Sequence, residues 1–142
     1  MSKRLLRYKD AMSTLDKFTS GGFLPVIPDE AVNPSKVKRV IVCSGQVYYD
    51  FYNERAIRKL ENEVAIVRVE QFYPCPNELI SKELRKYTKA KKFIWGQEEP
   101  YNQAGWLMIW ENLDNAIHGM GNFTAATRPA SAAPACGLSS IH

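Results

Sequence analysis

A chain of 142 residues with 45% hydrophobic and 24% charged residues has the size and composition of one folded globular domain. Its net charge of +4 is mild, and no stretch approaches the roughly 20 apolar residues that a membrane span needs. The densest basic run, residues 82–92, comes without a nucleic-acid-binding motif, so we interpret it as a solvated helix face and a loop. We therefore expect neither a nucleic-acid nor a membrane partner.

The three cysteines indicate a reducing compartment. Cys43, Cys75 and Cys136 are spaced by 32 and 61 positions, which fits no zinc pattern and no CxxC pair. Their odd number, with no secretory signal at the N-terminus, favours reduced thiols. Cys43 follows an apolar run and is predicted to be buried.

Residues 1–35 are predicted to form an irregular arm, which we call the arm throughout. Glycines and prolines at positions 21, 22, 25, 28 and 34 exclude a long element there, and residues 13–18 predict one short helical turn. Apolar residues at 23, 24, 26 and 27 indicate that the arm docks on a neighbouring surface.

Strands and helices alternate along the rest of the chain. Short apolar runs predict strands over residues 37–43, 64–69, 91–95 and 123–127. Helical spacing predicts helices over residues 46–63, 76–87 and 103–113, the second of which is expected to bury Leu79, Ile80 and Leu84. Residues 97–100 are read as a polar loop, and 134–142 as a tail of weak helical character. This alternation predicts an α/β fold with a mainly parallel sheet and helices on both faces.

Ligands of such sheets bind at the carboxyl ends of the strands, which here are Ser44-Gly45, Glu70-Gln71, residues 96–99 and Arg128. Ser44 is predicted to cap the following helix, and the alternative is a capped helix that also receives an anion. Neither His118 nor His142 lies in a recognised nucleophile motif, and the GxGxxG and GxxxxGK patterns are absent. No catalytic residue and no metal ligand is predicted.

Three further groups have a structural and a functional interpretation. Glu98 and Glu99 are adjacent, and neighbouring strand residues point to opposite faces, so structural or interface use is favoured over acid–base catalysis. Trp106 and Trp110 share a helix face that is expected to be buried or to contact a subunit. The aromatic residues at 48, 49, 51 and 52 indicate core packing, with interface packing as the alternative.

Several phrases resemble one family. They are KRVIVCSG (38–45), VYYD (47–50), VAIVRVEQFYP (64–74), WGQEEPYNQAGW (95–106) and RPASAAPA (128–135), joined by LLR (5–7) and FLPVI (23–27) in the arm. In this order they resemble the C-terminal region of the thiamine diphosphate-dependent decarboxylating component of 2-oxoglutarate dehydrogenase. The resemblance covers nearly the whole chain.

The resemblance implies a transketolase C-terminal-like domain, three-layered around a mostly parallel five-stranded sheet. Since four strands are found above, a fifth is expected in the arm or between residues 116 and 123. In the family, thiamine diphosphate and Mg²⁺ are held by earlier domains, so no cofactor site is expected here. We interpret the chain as a fragment that lacks the family's last helix, with the arm at 1–35 and the α/β domain at 36–142.

The implied role is structural, dimer-stabilising and regulatory, with no catalysis by the isolated chain. Expected partners are the enzyme's other domains and a second subunit, contacted through the arm and Gln97, Glu98, Asn102 and Trp106, together with the dihydrolipoyl succinyltransferase core of the complex. Ser44 and Arg128 are candidates for binding an effector, acetyl-CoA or AMP, since arginine offers phosphate a bidentate fork. The alternatives are an independent nucleotide- or acyl-CoA-binding module and a standalone enzyme. The expected compartment is a bacterial cytoplasm or a mitochondrial matrix; the sequence does not separate 2-oxoglutarate from 2-oxoadipate as the parent's substrate.

Overall fold

The computed structural model describes residues 5–135. Nine helices and strands follow one another there: α1 Leu15–Thr19, β1 Val26–Ile27, β2 Arg39–Cys43, α2 Val47–Ile57, β3 Val64–Val69, α3 Asn77–Leu84, β4 Lys92–Pro100, α4 Trp106–Ala116 and β5 Asn122–Arg128. Short 3-10 helices occur at Leu5–Arg7, Lys9–Ala11 and Pro34–Lys36. Within residues 5–135 no helix is long and apolar enough to cross a membrane. The tail predicted at 134–142 lies almost entirely outside the described residues.

The sheet has five strands in the order β1-β3-β2-β4-β5. β2 runs parallel to both β3 and β4, and β4 runs parallel to β5. β1 pairs antiparallel with β3 through Val26–Val69 and Ile27–Arg68. The α/β class and the mostly parallel five-stranded sheet are therefore confirmed, and the arm supplies the strand that the sequence pattern had missed.

The core lies on both faces of the sheet because β2 and β3 are buried on both sides. On one face, Val40 and Val42 pack in a cluster with Ile80 of α3 and Leu113 of α4. On the other face, Cys43 and Ile66 pack with Val47, and Phe51 lies against them from α2. Since side chains alternate along a strand, Val42 and Cys43 belong to different layers.

The helix α2 is shorter than the predicted 46–63. It ends at Ile57, and Lys59 follows with a φ of +56°, in the left-handed region that turns the chain. β3 begins at Val64, so a helix that reached residue 63 would leave no residues for the connection. α2 therefore ends at Ile57 because the chain needs the following residues to connect the helix to β3.

Two further predictions are wrong. Residues 97–100 belong to β4 and not to a loop, because β5 runs beside them and pairs Arg128 with Pro100. Leu79 is 46% exposed, whereas Ile80 and Leu84, four positions apart, are buried as predicted. Positions i and i+4 share a helix face and Leu79 lies beside that face.

Candidate functional site

A cleft of about 310 Å³ opens at the carboxyl ends of the three central strands. Its lining comes from the segment after β2, from Phe72 after β3, from the second half of β4, and from Ala104 and Gly105 before α4. The residues that line it are Ser44, Gly45, Gln46, Val47, Phe72, Trp95, Gly96, Gln97, Glu98, Glu99, Ala104 and Gly105. This is the edge at which the sequence placed a candidate site.

Ser44 lines the cleft but does not cap α2. The helix begins at Val47, its N-cap residue is Gln46, and no side chain makes the capping hydrogen bond. Gly45 adopts a φ of +68°, which places one extra turn residue between the strand and the helix. The predicted cap is wrong for this reason.

Gln97 is the most highly connected side chain of the cleft. Its Oε1 accepts hydrogen bonds from the indole Nε1 of Trp95 at 2.8 Å and from the backbone nitrogen of Trp106 at 3.0 Å. Its Nε2 donates to the carbonyl oxygens of Pro100 at 3.0 Å and Gln103 at 2.8 Å. The side chain is buried, and these bonds join the end of β4 to the loop and to the first residue of α4.

Both carboxylate residues of β4 line the same cleft, although neighbouring strand residues normally face apart. The β4–β5 pairing shifts register between Gly96 and Pro100, and Glu98 and Glu99 lie inside that irregular stretch. Glu98 Oε1 accepts a long hydrogen bond of 3.4 Å from Gln46 Nε2. The lining therefore carries two acidic residues and no lysine, arginine or histidine, which disfavours an anionic ligand.

Arg128 is not among the residues that line the cleft. Its Nε donates to the Glu98 carbonyl oxygen at 2.6 Å, and its guanidinium also donates to the Pro134 carbonyl oxygen. Its own carbonyl accepts from the Tyr101 nitrogen at 2.9 Å. The structure thus uses Arg128 to join β4, β5 and the following loop, and does not place it with Ser44 around one cavity.

Comparison with known proteins shows the family of the chain. Residues 12–142 match the family model described as 2-oxoglutarate dehydrogenase C-terminal. The chain belongs to this family. It is 45% identical over 141 residues to a 2-oxoglutarate dehydrogenase E1 component of Cupriavidus necator, and 43% identical over 141 residues to one of Haemophilus influenzae.

A relative with a different name is nearly as similar. The chain is 41% identical over 142 residues to a 2-oxoadipate dehydrogenase complex component E1 of Danio rerio. In each of these three comparisons 99% of the chain is aligned, but it spans only 15% of the relative's length. The match therefore concerns a C-terminal domain, and the relatives include bacterial and vertebrate proteins.

In this C-terminal family domain, Asn102 binds the segment after β5. Its Nδ2 donates to the Ser131 carbonyl oxygen at 3.1 Å, and its Oδ1 accepts from the Ser131 nitrogen at 3.0 Å. Gln103 Nε2 donates to the same carbonyl at 2.8 Å. Two phrases of the family resemblance, 95–106 and 128–135, are thus held against each other, although Asn102 itself stays exposed.

The two tryptophans predicted to share a face differ in burial. Trp106 is buried, with its ring 5.6 Å from Tyr101 and 5.3 Å from Phe123, centroid to centroid. Trp110, one turn later, is 46% exposed, and its neighbours Leu107 and Met108 are more than half exposed. The face around Trp110 is therefore exposed, whereas Trp106 belongs to the core.

The aromatic residues of α2 receive the arm of the family domain. Tyr49 is buried and contacts the ring of Tyr8 edge-on at 4.9 Å, and Asn53 Nδ2 donates to the Tyr8 hydroxyl at 3.0 Å. The guanidinium of Arg68 lies 4.4 Å from the centre of the Tyr48 ring. Core packing is confirmed for Tyr49, while Tyr52 is exposed.

One polar pair escaped the sequence interpretation. Asp29 of the arm and Arg55 of α2 form an ion pair with side chains only 6% and 4% exposed. Asp29 Oδ2 also accepts from the Ile66 nitrogen at 2.8 Å. Neither residue belongs to a short-range motif, so no local signal pointed to the pair.

The resemblance implies thiamine diphosphate and Mg²⁺ in the parent enzyme, and a Mg²⁺ site needs several oxygen ligands placed together. Among residues 5–135 no group of three or more His, Cys, Asp or Glu side chains is placed to hold a metal ion. Mg²⁺ prefers oxygen ligands in octahedral geometry.

Proposed function

We propose that this chain is the C-terminal domain of the decarboxylating component of a 2-oxoglutarate dehydrogenase complex, and that it stabilises the subunit assembly without carrying the chemistry. The observation that carries the proposal is the apolar surface of the arm. Leu15, Phe18 and Phe23 are 77%, 76% and 69% exposed, which is unusual for large apolar side chains so close together in sequence.

The arm also borders a groove of about 890 Å³. Arm residues such as Met12, Phe18 and Leu24 line one side, and Tyr49 and Arg68 of the body line the other. A mixed rim around exposed apolar side chains is typical of a protein–protein contact. The occupant we propose is another domain of the same enzyme, or the second subunit of its homodimer.

The cleft supports this assignment by what its side chains already do. The side chain of Gln97 donates its hydrogen bonds to carbonyl oxygens of the same chain, and so does the side chain of Arg128 at the edge of the sheet. Acid–base catalysis needs a side chain that can reach a proton of the substrate, whereas these two side chains already bind the chain itself. Of the four predicted interface residues, Gln97 and Trp106 are buried within the chain, so the exposed Asn102 and the half-buried Glu98 stay our candidates for contact with the partner.

In the parent enzyme, the proposed reaction is the decarboxylation of 2-oxoglutarate on thiamine diphosphate with Mg²⁺. The succinyl group then passes to lipoyl groups of a dihydrolipoyl succinyltransferase core. These ligands and partners belong to the other domains, and the setting we propose is a bacterial cytoplasm or a mitochondrial matrix. The Danio rerio relative is named a 2-oxoadipate dehydrogenase complex component E1, so a similar C-terminal domain also occurs in a protein named for a different substrate.

Effector binding by Ser44 and Arg128 stays a prediction. The two acidic residues in the cleft lining disfavour acetyl-CoA or AMP there, since both ligands carry phosphates. Titration of the chain with acetyl-CoA and AMP tests the prediction directly. Saturable binding that Ser44→Ala and Arg128→Ala both abolish would support an effector module.

Association is the decisive test of the assembly role. The Cupriavidus necator relative is truncated before the segment aligned with this chain, and the purified chain is added back. We expect association by analytical ultracentrifugation and partial recovery of thiamine-dependent 2-oxoglutarate decarboxylation. The chain alone is expected to show no decarboxylation.

A matched pair of variants locates the contact. Phe18→Ser/Phe23→Ser is expected to weaken association at least tenfold, while far-UV circular dichroism of the chain stays unchanged. Ile57→Ser is the control, because Ile57 is 75% exposed but lies at the end of α2, away from the arm groove. Decarboxylation by the chain alone would overturn the proposal, and so would an arm variant that associates as tightly as the unmodified chain.

A further inference from the structure

A third cavity, besides the cleft and the arm groove, lies at the opposite end of the sheet from the cleft. It has a volume of about 350 Å³ and is bordered by the amino ends of β2, β3 and β4, by the loop before β4 and by the α2–β3 connection. Leu60 and Val64 supply its apolar part. The remaining lining residues are charged: Lys38, Arg39, Glu63, Lys89, Lys91 and Lys92.

The charge of this cavity is strongly unbalanced. Five cationic residues face one carboxylate, an excess of +4 that equals the net charge of the whole chain. Glu63 is engaged by Lys38, whose Nζ lies 2.8 Å from Glu63 Oε1, and this contact lowers the pKa of Glu63. Within residues 5–135 the other four cationic residues have no carboxylate within ion-pair distance.

The fold holds two of these cations directly opposite each other. Arg39 of β2 and Lys92 of β4 are register partners on neighbouring parallel strands, about 4.8 Å apart. Side chains of paired residues lie on the same face of a sheet, and like charges in that position are destabilising. An anion bound between them would remove this repulsion.

The backbone at this edge is already satisfied. The nitrogens of Lys38 and Arg39 donate to the Glu63 carbonyl oxygen, and the Lys91 nitrogen donates to the Lys38 carbonyl oxygen. Recognition of a ligand would therefore depend on the flexible side chains. We propose that this cavity, which we call the amino-end cavity, binds a compact polyphosphate group.

Shape and side-chain chemistry both favour that ligand class. Lysine binds phosphate as a point charge, and arginine adds a bidentate fork. The volume lies at the lower end of the range for small-molecule pockets, which suits a di- or triphosphate group. A nucleic acid or an acidic peptide would need charges spread along a stripe, whereas these five cations surround one concavity.

Isothermal titration of the 142-residue chain with inorganic tripolyphosphate, at fixed low ionic strength, tests the proposal. We expect saturable binding of one equivalent, weaker binding of pyrophosphate, and little binding of a single phosphate. The ligand should also raise the midpoint of thermal unfolding, because it relieves repulsion present only in the folded chain.

Charge-matched double variants locate the site. Arg39→Gln/Lys92→Gln is expected to weaken tripolyphosphate binding at least tenfold. Lys82→Gln/Arg85→Gln removes the same charge from exposed positions on and just after α3, outside the cavity, and should bind as the unmodified chain does. If the cavity double variant were poorly folded, Lys89→Gln, a change in the loop before β4, would replace it.

Three results would overturn the proposal. Absence of saturable binding in a folded sample would exclude the site. Equal loss in the two double variants would mean that diffuse positive charge attracts the ligand. Tighter binding of a poly-glutamate peptide than of tripolyphosphate would assign this surface to an acidic polypeptide instead.

Discussion

The carboxylate of Asp29, in the arm, pairs with the guanidinium of Arg55, in α2, inside the protein. Their side chains are 6% and 4% exposed, and each has a further backbone partner. Asp29 accepts from the Ile66 nitrogen, and Arg55 Nη1 donates to the Val64 carbonyl oxygen at 3.2 Å. One ion pair therefore ties the arm, α2 and β3 together.

Removing one partner of this pair should destabilise the chain strongly. Asp29→Ala leaves a buried guanidinium without its counter-charge, which typically costs about 3–5 kcal/mol of unfolding free energy. Urea denaturation followed by circular dichroism measures the change. Asp29→Leu/Arg55→Met should cost less than the two single changes added together, because neither charge is then left alone.

An exposed ion pair provides the control. Arg58 Nε lies 2.5 Å from Glu54 Oε1, with side chains 66% and 50% exposed. Glu54→Ala should lower stability by about 0.5 kcal/mol or less, since exposed pairs in helices contribute little. Comparable losses for Glu54→Ala and Asp29→Ala would contradict the role assigned to the buried pair.

The hydrophobic pattern of the sequence is sufficient to predict a strand where buried residues follow one another along the chain. β3 was predicted at 64–69 and occupies Val64–Val69, because four consecutive buried residues leave little doubt about a central strand. The pattern is insufficient where pairing with a neighbouring strand decides whether a strand forms and how far it extends. β4 continues through polar residues to Pro100 because β5 pairs with it, and the two-residue β1 exists because β3 accepts it.

At the cleft, too, the sequence predicts which residues lie there but not the contacts that depend on the tertiary structure. The phrase 95–106 pointed to the carboxyl end of β4, and Gln97, Glu98 and Glu99 do line the cleft there. The hydrogen bonds of Gln97 depend on how the following loop returns, which spacing does not encode. The sequence predicts only a solvated helix face and a loop for the basic run at 82–92, because Lys38 and Arg39 are about fifty positions from Lys89 and come near it only in the sheet.

Cys43 should be almost inert toward alkylation in the folded chain. Burial raises the pKa of its thiol to about 12, with a smaller contribution from the nearby Glu70 carboxylate. At pH 8 the thiol therefore stays almost entirely protonated, and the thiolate is the reactive form. Iodoacetamide followed by mass spectrometry should modify the half-buried Cys75 first and reach Cys43 only after denaturation.

The experiment is carried out on a Cys136→Ser variant, so that only Cys43 and Cys75 can react. Cys136 itself lies outside the described residues. A rate at Cys43 equal to that at Cys75 under native conditions would show that the β2–α2 junction opens readily. The same experiment in urea verifies that both thiols are chemically competent.

Gly105 should not tolerate even one methyl group. A Cβ at this position would lie 2.6 Å from the ring of Trp95 and 3.0 Å from that of Phe72. The Trp95 ring cannot easily withdraw, because it is buried and bonded to Gln97. Gly105→Ala should therefore lower the free energy of unfolding by about 1–3 kcal/mol.

Gly22→Ala is the matched control for Gly105→Ala. No atom would lie within 4 Å of a Cβ at Gly22, so this change should be neutral or slightly stabilising through the unfolded chain. Equal effects of the two substitutions, measured by urea denaturation, would refute the steric argument.

Gln97→Ala should be among the most damaging single changes at the cleft. It leaves the Trp95 indole N–H and the Trp106 backbone N–H without their acceptor and the Gln103 carbonyl without its donor, whereas the Pro100 carbonyl still accepts from the Gln103 nitrogen. An orphaned buried polar group costs about 1–3 kcal/mol, so a loss of about 3 kcal/mol or more is expected. Trp95 fluorescence should shift to longer wavelength as water reaches the indole.

Gln97→Glu separates hydrogen bonding from volume. The carboxylate still accepts from both tryptophans but no longer donates, and burial raises the pKa of the new carboxyl above its unfolded value of about 4.3. The folded form then binds more protons than the unfolded form, so stability falls as pH rises. Relative to the unmodified chain, this variant should lose more stability at pH 8 than at pH 4.

Gln103→Ala, which removes one exposed hydrogen bond to Ser131, should show a small loss at both pH values. A Gln97→Glu variant without pH dependence would mean that water reaches position 97, and that the cleft is open where the structure closes it.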